Sequence, residues 1–115
     1  MRLLICCCAV LGFAAGCGTG SDVRFLVETE GEARATELEL RIGGETRYFA
    51  EVEHGREIVE RDVPEGTDVS LRARNGGGEG GLLIGAFVDG CAVSAHECTG
   101  TACIVYSQLT VRSGC

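Results

Sequence analysis

Thr36-Glu37-Leu38-Glu39-Leu40-Arg41-Ile42-Gly43-Gly44-Glu45-Thr46-Arg47-Tyr48-Phe49-Ala50-Glu51-Val52 decides the fold of this chain. Thr36, Leu38, Leu40 and Ile42 alternate with Glu37, Glu39 and Arg41. A period of two puts apolar side chains on one face and charges on the other, the pattern of a half-buried strand. Gly43-Gly44 then separates two runs by two residues, the length and composition of a tight hairpin. Tyr48, Ala50 and Val52, or Phe49 on the opposite face, continue the second run. Residues 31–40 also admit a helix, because Glu and Ala recur there, but Leu38, Leu40 and Ile42 keep the strand period.

The same grammar extends in both directions. Val23, Phe25 and Val27 alternate with Arg24, Leu26 and Glu28. His54-Gly55 turns the chain, and a strand follows over Ile58 to Val63. Pro64-Glu65-Gly66 fits a turn, since Pro presets φ and Gly accepts positive φ. Val69, Leu71 and Ala73 alternate with Ser70, Arg72 and Arg74, and Asn75 to Gly81 reads as a flexible hairpin connection. Leu82 to Val88 is apolar throughout, as a central strand would be. Asp89-Gly90 is a second two-residue hairpin turn, with Cys91 to Ala95 returning. A last strand covers Cys103 to Val111, facing inward with either Ile104 and Tyr106 or Val105, then Leu109 and Val111. About seven to eight short strands and Gly-rich turns predict an all-β, immunoglobulin-like sandwich, with a small barrel as the rival. There is no Trp to pin the core.

Upstream of this domain the composition changes. Met1-Arg2 precedes an apolar, uncharged stretch from Leu3 to Ala15, followed by Gly16 and Cys17. A short positive start, an apolar core and small residues at the end form a secretory leader. Phe13-Ala14-Ala15-Gly16-Cys17 resembles the lipobox of bacterial lipoproteins, with Ala14 where Leu is commonest. The resemblance implies removal of residues 1–16 and lipidation of Cys17. Cys6, Cys7 and Cys8 then leave with the leader as apolar filler. Residues 17–22 read as the lipidated Cys and a flexible tether, and 23–115 as the folded domain. In Gram-negative lipoproteins Asp after the lipidated Cys marks inner-membrane retention. Here that place is Gly18, which implies the outer membrane.

Lys is absent, and one of the ten Arg lies in the leader, so the mature chain sets nine Arg against 17 Asp plus Glu, a net charge of 9 − 17 = −8. That balance disfavours nucleic acid and attraction to anionic headgroups, and leaves the lipid as the membrane attachment. Cys91, Cys98, Cys103 and Cys115 remain for disulfides in an exported domain. Three connectivities are open. Cys98–Cys103, which flank the turn-like Thr99-Gly100-Thr101-Ala102, and Cys91–Cys115 are preferred. Zinc on Cys91, His96, Cys98 and Cys103 is the alternative, although the spacing is that of no finger or ribbon. His96-Glu97 starts like a zinc-protease helix but lacks its second His.

Other chemistry is sparse. The Gly-rich segment 75–81 lacks the Lys-Ser/Thr ending of a phosphate loop. Glu28, Glu30, Glu32, Glu37, Glu39 and Glu45 match no calcium loop and read as solvated strand faces. His54 reads as a turn residue and His96 as a loop residue. Ser70, Ser94, Ser107 and Ser113 lie in no nucleophile elbow, so no enzyme, metal or cofactor is expected. Val63-Pro64-Glu65-Gly66-Thr67-Asp68-Val69-Ser70-Leu71 resembles the strand-turn-strand corner of bacterial immunoglobulin-like and transthyretin-like envelope domains. Together with Val88-Asp89-Gly90 and a terminal cysteine, the plan is also similar to MmpS-type accessory proteins, which carry a transmembrane anchor in place of a lipobox. These resemblances imply a lipid-anchored interaction module with an envelope protein partner. A carrier or sensor of a small ligand or metal is the second expectation.

Overall fold

Eight strands in two antiparallel sheets make up the computed structural model, which describes residues 20–112. In chain order they are β1 (Ser21–Gly31), β2 (Ala35–Ile42), β3 (Glu45–Val52), β4 (Arg56–Val63), β5 (Asp68–Asn75), β6 (Gly80–Val88), β7 (Cys91–Thr99) and β8 (Ile104–Thr110). The first sheet runs β4-β1-β6-β7 and the second β3-β2-β5-β8. This is the expected all-β sandwich. The strand order differs from the immunoglobulin constant pattern, which groups its first, second, fifth and fourth strands. Here β1 and β2 lie in opposite sheets, so the likeness is one of architecture.

Alternation accounts for the core. Val23, Phe25 and Val27 of β1 are buried against Leu38 and Leu40 of β2, Leu71 of β5, and Leu82 and Ile84 of β6. Among the described residues, Phe25 is the largest fully buried side chain. In β8 the inward set is Val105, Ser107 and Leu109, while Ile104 and Tyr106 face solvent. In β3, Phe49 packs on the core and Tyr48 points away. β6 lies between β1 and β7, with Leu82, Ile84, Ala86 and Val88 buried inward and Leu83 and Phe87 half-buried on the outer face. Its outward Phe87 lies under the Arg24 guanidinium, 4.6 Å from the ring centre.

Both two-residue hairpins form where expected. Gly43 has φ +58 and Gly44 no positive φ, consistent with a II′ turn, whereas Asp89 and Gly90 are both positive, at 51° and 82°, consistent with I′. Local bulges re-aim strands: Glu37, at φ 52, lies where β2 shifts register against β5, and Asp62, at φ 56, lies where β4 shifts against β1.

Several boundaries differ from the sequence reading. β1 begins at Ser21, inside the stretch read as tether, and Ser21 is buried. β7 continues past Ala95 to Thr99, so His96 is a strand residue opposite Ile84 and not a loop residue. The Gly-rich segment is no hairpin. β5 and β6 belong to opposite sheets, and residues 76–79 cross between them. Glu32 N–H donates to Glu79 O, Gly78 N–H to Glu32 O, and Gly76 N–H to Arg34 O. Two crossovers, β1 to β2 and β5 to β6, therefore run side by side as a hydrogen-bonded pair. Periodicity cannot see such pairing, because it depends on which sheet each flanking strand joins.

Candidate functional site

Sulfur chemistry comes first. Cys98 is the penultimate residue of β7, Cys103 precedes β8, and the two form a disulfide with Cα atoms 5.9 Å apart. It links edge strands of the two sheets. Cys91 is also disulfide-bonded. Cys115, its expected partner, lies outside the described residues, as do Cys17, the stretch read as a leader, Gly18 and Thr19 of the stretch read as a tether, and Ser113. The zinc alternative loses the thiolates of Cys98 and Cys103. Among the described residues, no cluster of three or more His, Cys, Asp or Glu converges as metal ligands do. For the double variant Cys98→Ser/Cys103→Ser we expect a loss of about 2 kcal/mol, since the closed loop is short. Urea denaturation against wild type checks it; an unchanged midpoint and slope would show the bridge to be energetically idle.

His54 projects from the β3–β4 crossover onto β1. Its Nδ1 accepts the Thr29 N–H at 2.9 Å, while Gly55 N–H donates to Val27 O at 2.8 Å. The imidazole thus continues the β1 ladder beyond the end of β4, which is structural work. A surface cleft of about 230 Å³ opens beside it, with Glu28, Glu30 and Glu97 on its walls. Ser94 and Ser107 have buried hydroxyls without a protein hydrogen-bond partner, so neither is held by a histidine. Glu32 follows the end of β1 in the β1–β2 crossover, and Glu45 opens β3 in the second sheet.

The arrangement with the most recognition chemistry lies on the outer face of the second sheet, where strand register builds three rows. Tyr48, Glu39, Arg72 and Tyr106 are successive neighbours across β3, β2, β5 and β8. Thr46, Arg41, Ser70 and Gln108 form the next row. Glu51, Thr36, Arg74 and Ile104 form the third. Tyr48 is 74% exposed and Tyr106 50%. Three strand spacings separate them, roughly 14 Å.

Between the tyrosines, Glu39 accepts from Arg41 Nε at 2.7 Å and lies 3.6 Å from Arg72. This hydrogen bond, with the charge of Glu39, raises the Arg41 pKa above its ordinary value. Arg74 pairs with Glu37 at 3.3 Å. Arg34 reaches Glu51 with two donors, which holds the Glu51 carboxyl below the usual carboxylate range. That contribution is present above the ordinary carboxylate pKa and fades as pH falls through the lowered value; on an exposed pair it is small. At the sheet edge Arg47 bridges to Glu60 of β4. Glu39, Arg41, Ser70, Arg72 and Tyr106 enclose a shallow groove of about 180 Å³. Rigid aromatic rings standing beside oriented guanidinium groups are what protein interfaces concentrate at their centres.

Tyr48 and Tyr106 each stand beside a residue, Phe49 or Val105, that competes for the inward position, so alternation alone does not assign them to this face. Only the register, set by the β2–β3 hairpin, the β2–β5 bulge and the β5–β8 pairing, brings them into one row. No protein-family model, no curated protein and no solved structure matches this chain.

Proposed function

We propose that this chain is a non-catalytic interaction module of the bacterial cell envelope, anchored by a lipid on Cys17, with the outer membrane as its address. Its outer second-sheet face docks a protein partner. The row Tyr48-Glu39-Arg72-Tyr106 carries this reading. It offers two exposed rings and a fixed arginine on a rigid sheet, in a position where core packing needs none of them. The anchor reading rests on the sequence ending in Ala14-Ala15-Gly16-Cys17. An acidic domain of net charge −8 gains little from anionic headgroups, so attachment falls to the lipid.

A small-ligand carrier is the second reading, motivated by the cleft beside His54. At about 230 Å³ it is below the usual 300–1,000 Å³ of ligand pockets, which favours the first.

The test uses native membranes and two variants. Cys17→Ser is expected to move the protein to the soluble fraction. Tyr48→Ala/Tyr106→Ala is expected to stay anchored and folded but to weaken partner capture by about thirtyfold, equivalent to about 2 kcal/mol. Membrane retention of Cys17→Ser would overturn the anchor, and equal recovery of a stoichiometric partner with both tyrosines removed would overturn the docking face. A thermal shift with a small molecule and no protein partner would move the assignment to the carrier reading.

A further inference from the structure

The flanks of the sandwich differ sharply in charge. On one, the edge strands are β3 and β4. They carry Glu45, Arg47 and Glu51, and Arg56, Glu57, Glu60, Arg61 and Asp62. On the other, the edges are β7 and β8, where Glu97 is the single Asp, Glu or Arg. Charges on an edge strand block pairing with another strand, and a long edge without them invites it. β7 is such an edge. Ala92, Val93, Ala95 and Glu97 are exposed on it, and among the described residues only β6 pairs with it.

We propose that β7 pairs antiparallel with β7 of a second copy, joining two first sheets into one continuous eight-stranded sheet. This is independent of the tyrosine face. Three observations select a second copy over an unrelated strand. A domain whose nine Arg face 17 Asp plus Glu meets itself with least repulsion along its least charged flank. A twofold axis supplies the same bare edge from both sides. Finally, the register can be satisfied electrostatically.

β7 bulges at Val93, where its pairing with β6 shifts, and runs straight from Ser94 to Thr99. Directly opposed side chains in a ladder share a face, so a twofold pairing matches residues of like orientation. Within the straight run, one register sets Glu97 against its own copy and is repulsive. Of the remaining registers, the one centred on His96 pairs the most residues of the run, and it sets Ala95 opposite Glu97 of the second copy, twice. That register leaves each Glu97 beside a small neutral side chain.

Ala95 is exposed and outside the core, so it accepts charge without disturbing the fold. The full protein in detergent, followed by sedimentation over a wide concentration series at pH 8, reads the equilibrium. Wild type is expected to dimerise. Ala95→Glu places like charges opposite one another at two positions and is expected to weaken dimerisation about tenfold or more. Ala95→Lys places Lys opposite Glu97 and is expected to tighten it. The pair Ala95→Glu/Glu97→Lys restores an attractive pairing and is expected to recover the dimer. A wild type monomeric at every concentration overturns the proposal. So does a dimer indifferent to the sign of the charge at Ala95, or a stoichiometric foreign protein on β7 in place of a second copy.

Discussion

Replacing Asn75 by alanine is expected to destabilise the protein by about 3–4 kcal/mol, a large part of the roughly 5–15 kcal/mol available to a domain. Asn75 closes β5 and is 1% exposed. Its Oδ1 accepts from Arg34 N–H at 3.1 Å and from Gly77 N–H at 2.9 Å. Its Nδ2 donates to Gly78 O at 3.0 Å and to Gly100 O at 2.9 Å. The backbone adds Asn75 N–H to Cys103 O, and Gly100 N–H to Gly80 O. One amide thereby ties together the β1–β2, β5–β6 and β7–β8 crossovers, which all gather at one end of the sandwich. Removing it strands the Arg34 and Gly77 N–H donors and Gly78 O in a partly buried site, while Gly100 O keeps only the longer Cys103 N–H bond at 3.3 Å, and each unsatisfied group costs about 1–3 kcal/mol before relaxation. Asn75→Asp separates shape from chemistry. It keeps both acceptor contacts but sets a carboxylate oxygen against Gly78 O and Gly100 O, so it should be at least as damaging as alanine. Urea denaturation with an unchanged slope gives the number; a cost below about 1 kcal/mol for Asn75→Ala would mean that water replaces the amide and the crossovers hold themselves.

Asn75 also marks where sequence reading stops. Strand positions and inward faces were legible, since Val23, Phe25 and Val27, or Val69, Leu71 and Ala73, announce a face by a period of two. Gly43-Gly44 and Asp89-Gly90 were legible because a two-residue hairpin demands particular φ values. The Cys98–Cys103 bridge was legible because both ends of a short turn must come together. An Asn followed by three glycines gives no such signal. Its composition is that of a loose linker, and only the placement of β5 and β6 in opposite sheets turns it into a pinned crossing. The tyrosine face was hidden for a related reason: Tyr48 and Tyr106 are distant in sequence, and in each strand the neighbouring residue, Phe49 or Val105, competes for the inward position. β7 was legible as the return strand from Cys91, but neither its extension to Thr99 nor the exposure of its small apolar residues was. Ala92, Val93 and Ala95 look like strand residues seeking a core, yet at an edge they remain exposed.

Gly80→Ala is expected to be the most damaging single methyl in the chain, costing about 4 kcal/mol or more and preventing accumulation of folded protein if the margin is small. A Cβ on Gly80 would lie 2.0 Å from Glu30 O and 3.0 Å from Ala33 N, both backbone atoms. Backbone cannot swing aside as a side chain can, and this backbone is committed: Glu30 O accepts from Ala33 N–H, and Gly31 pairs with Gly80 in the β1–β6 ladder. Gly31, at φ +65, faces the mirror-image restriction, since its Cβ would meet Glu79 O at 2.8 Å. The two glycines let β1 and β6 close together just where both crossovers leave the sheet. Gly90→Ala is the control. Gly90 also has positive φ, at 82°, but a Cβ there meets nothing within 4 Å. It pays conformational strain alone, about 1–2 kcal/mol. Thermal and urea melts of the two variants therefore separate close approach from backbone strain. Equal, modest losses would mean that the crossover pair relaxes to admit a methyl. A far larger loss for Gly80→Ala would establish that the Gly-rich segment is selected for contact between backbones, and that its glycines are packing residues.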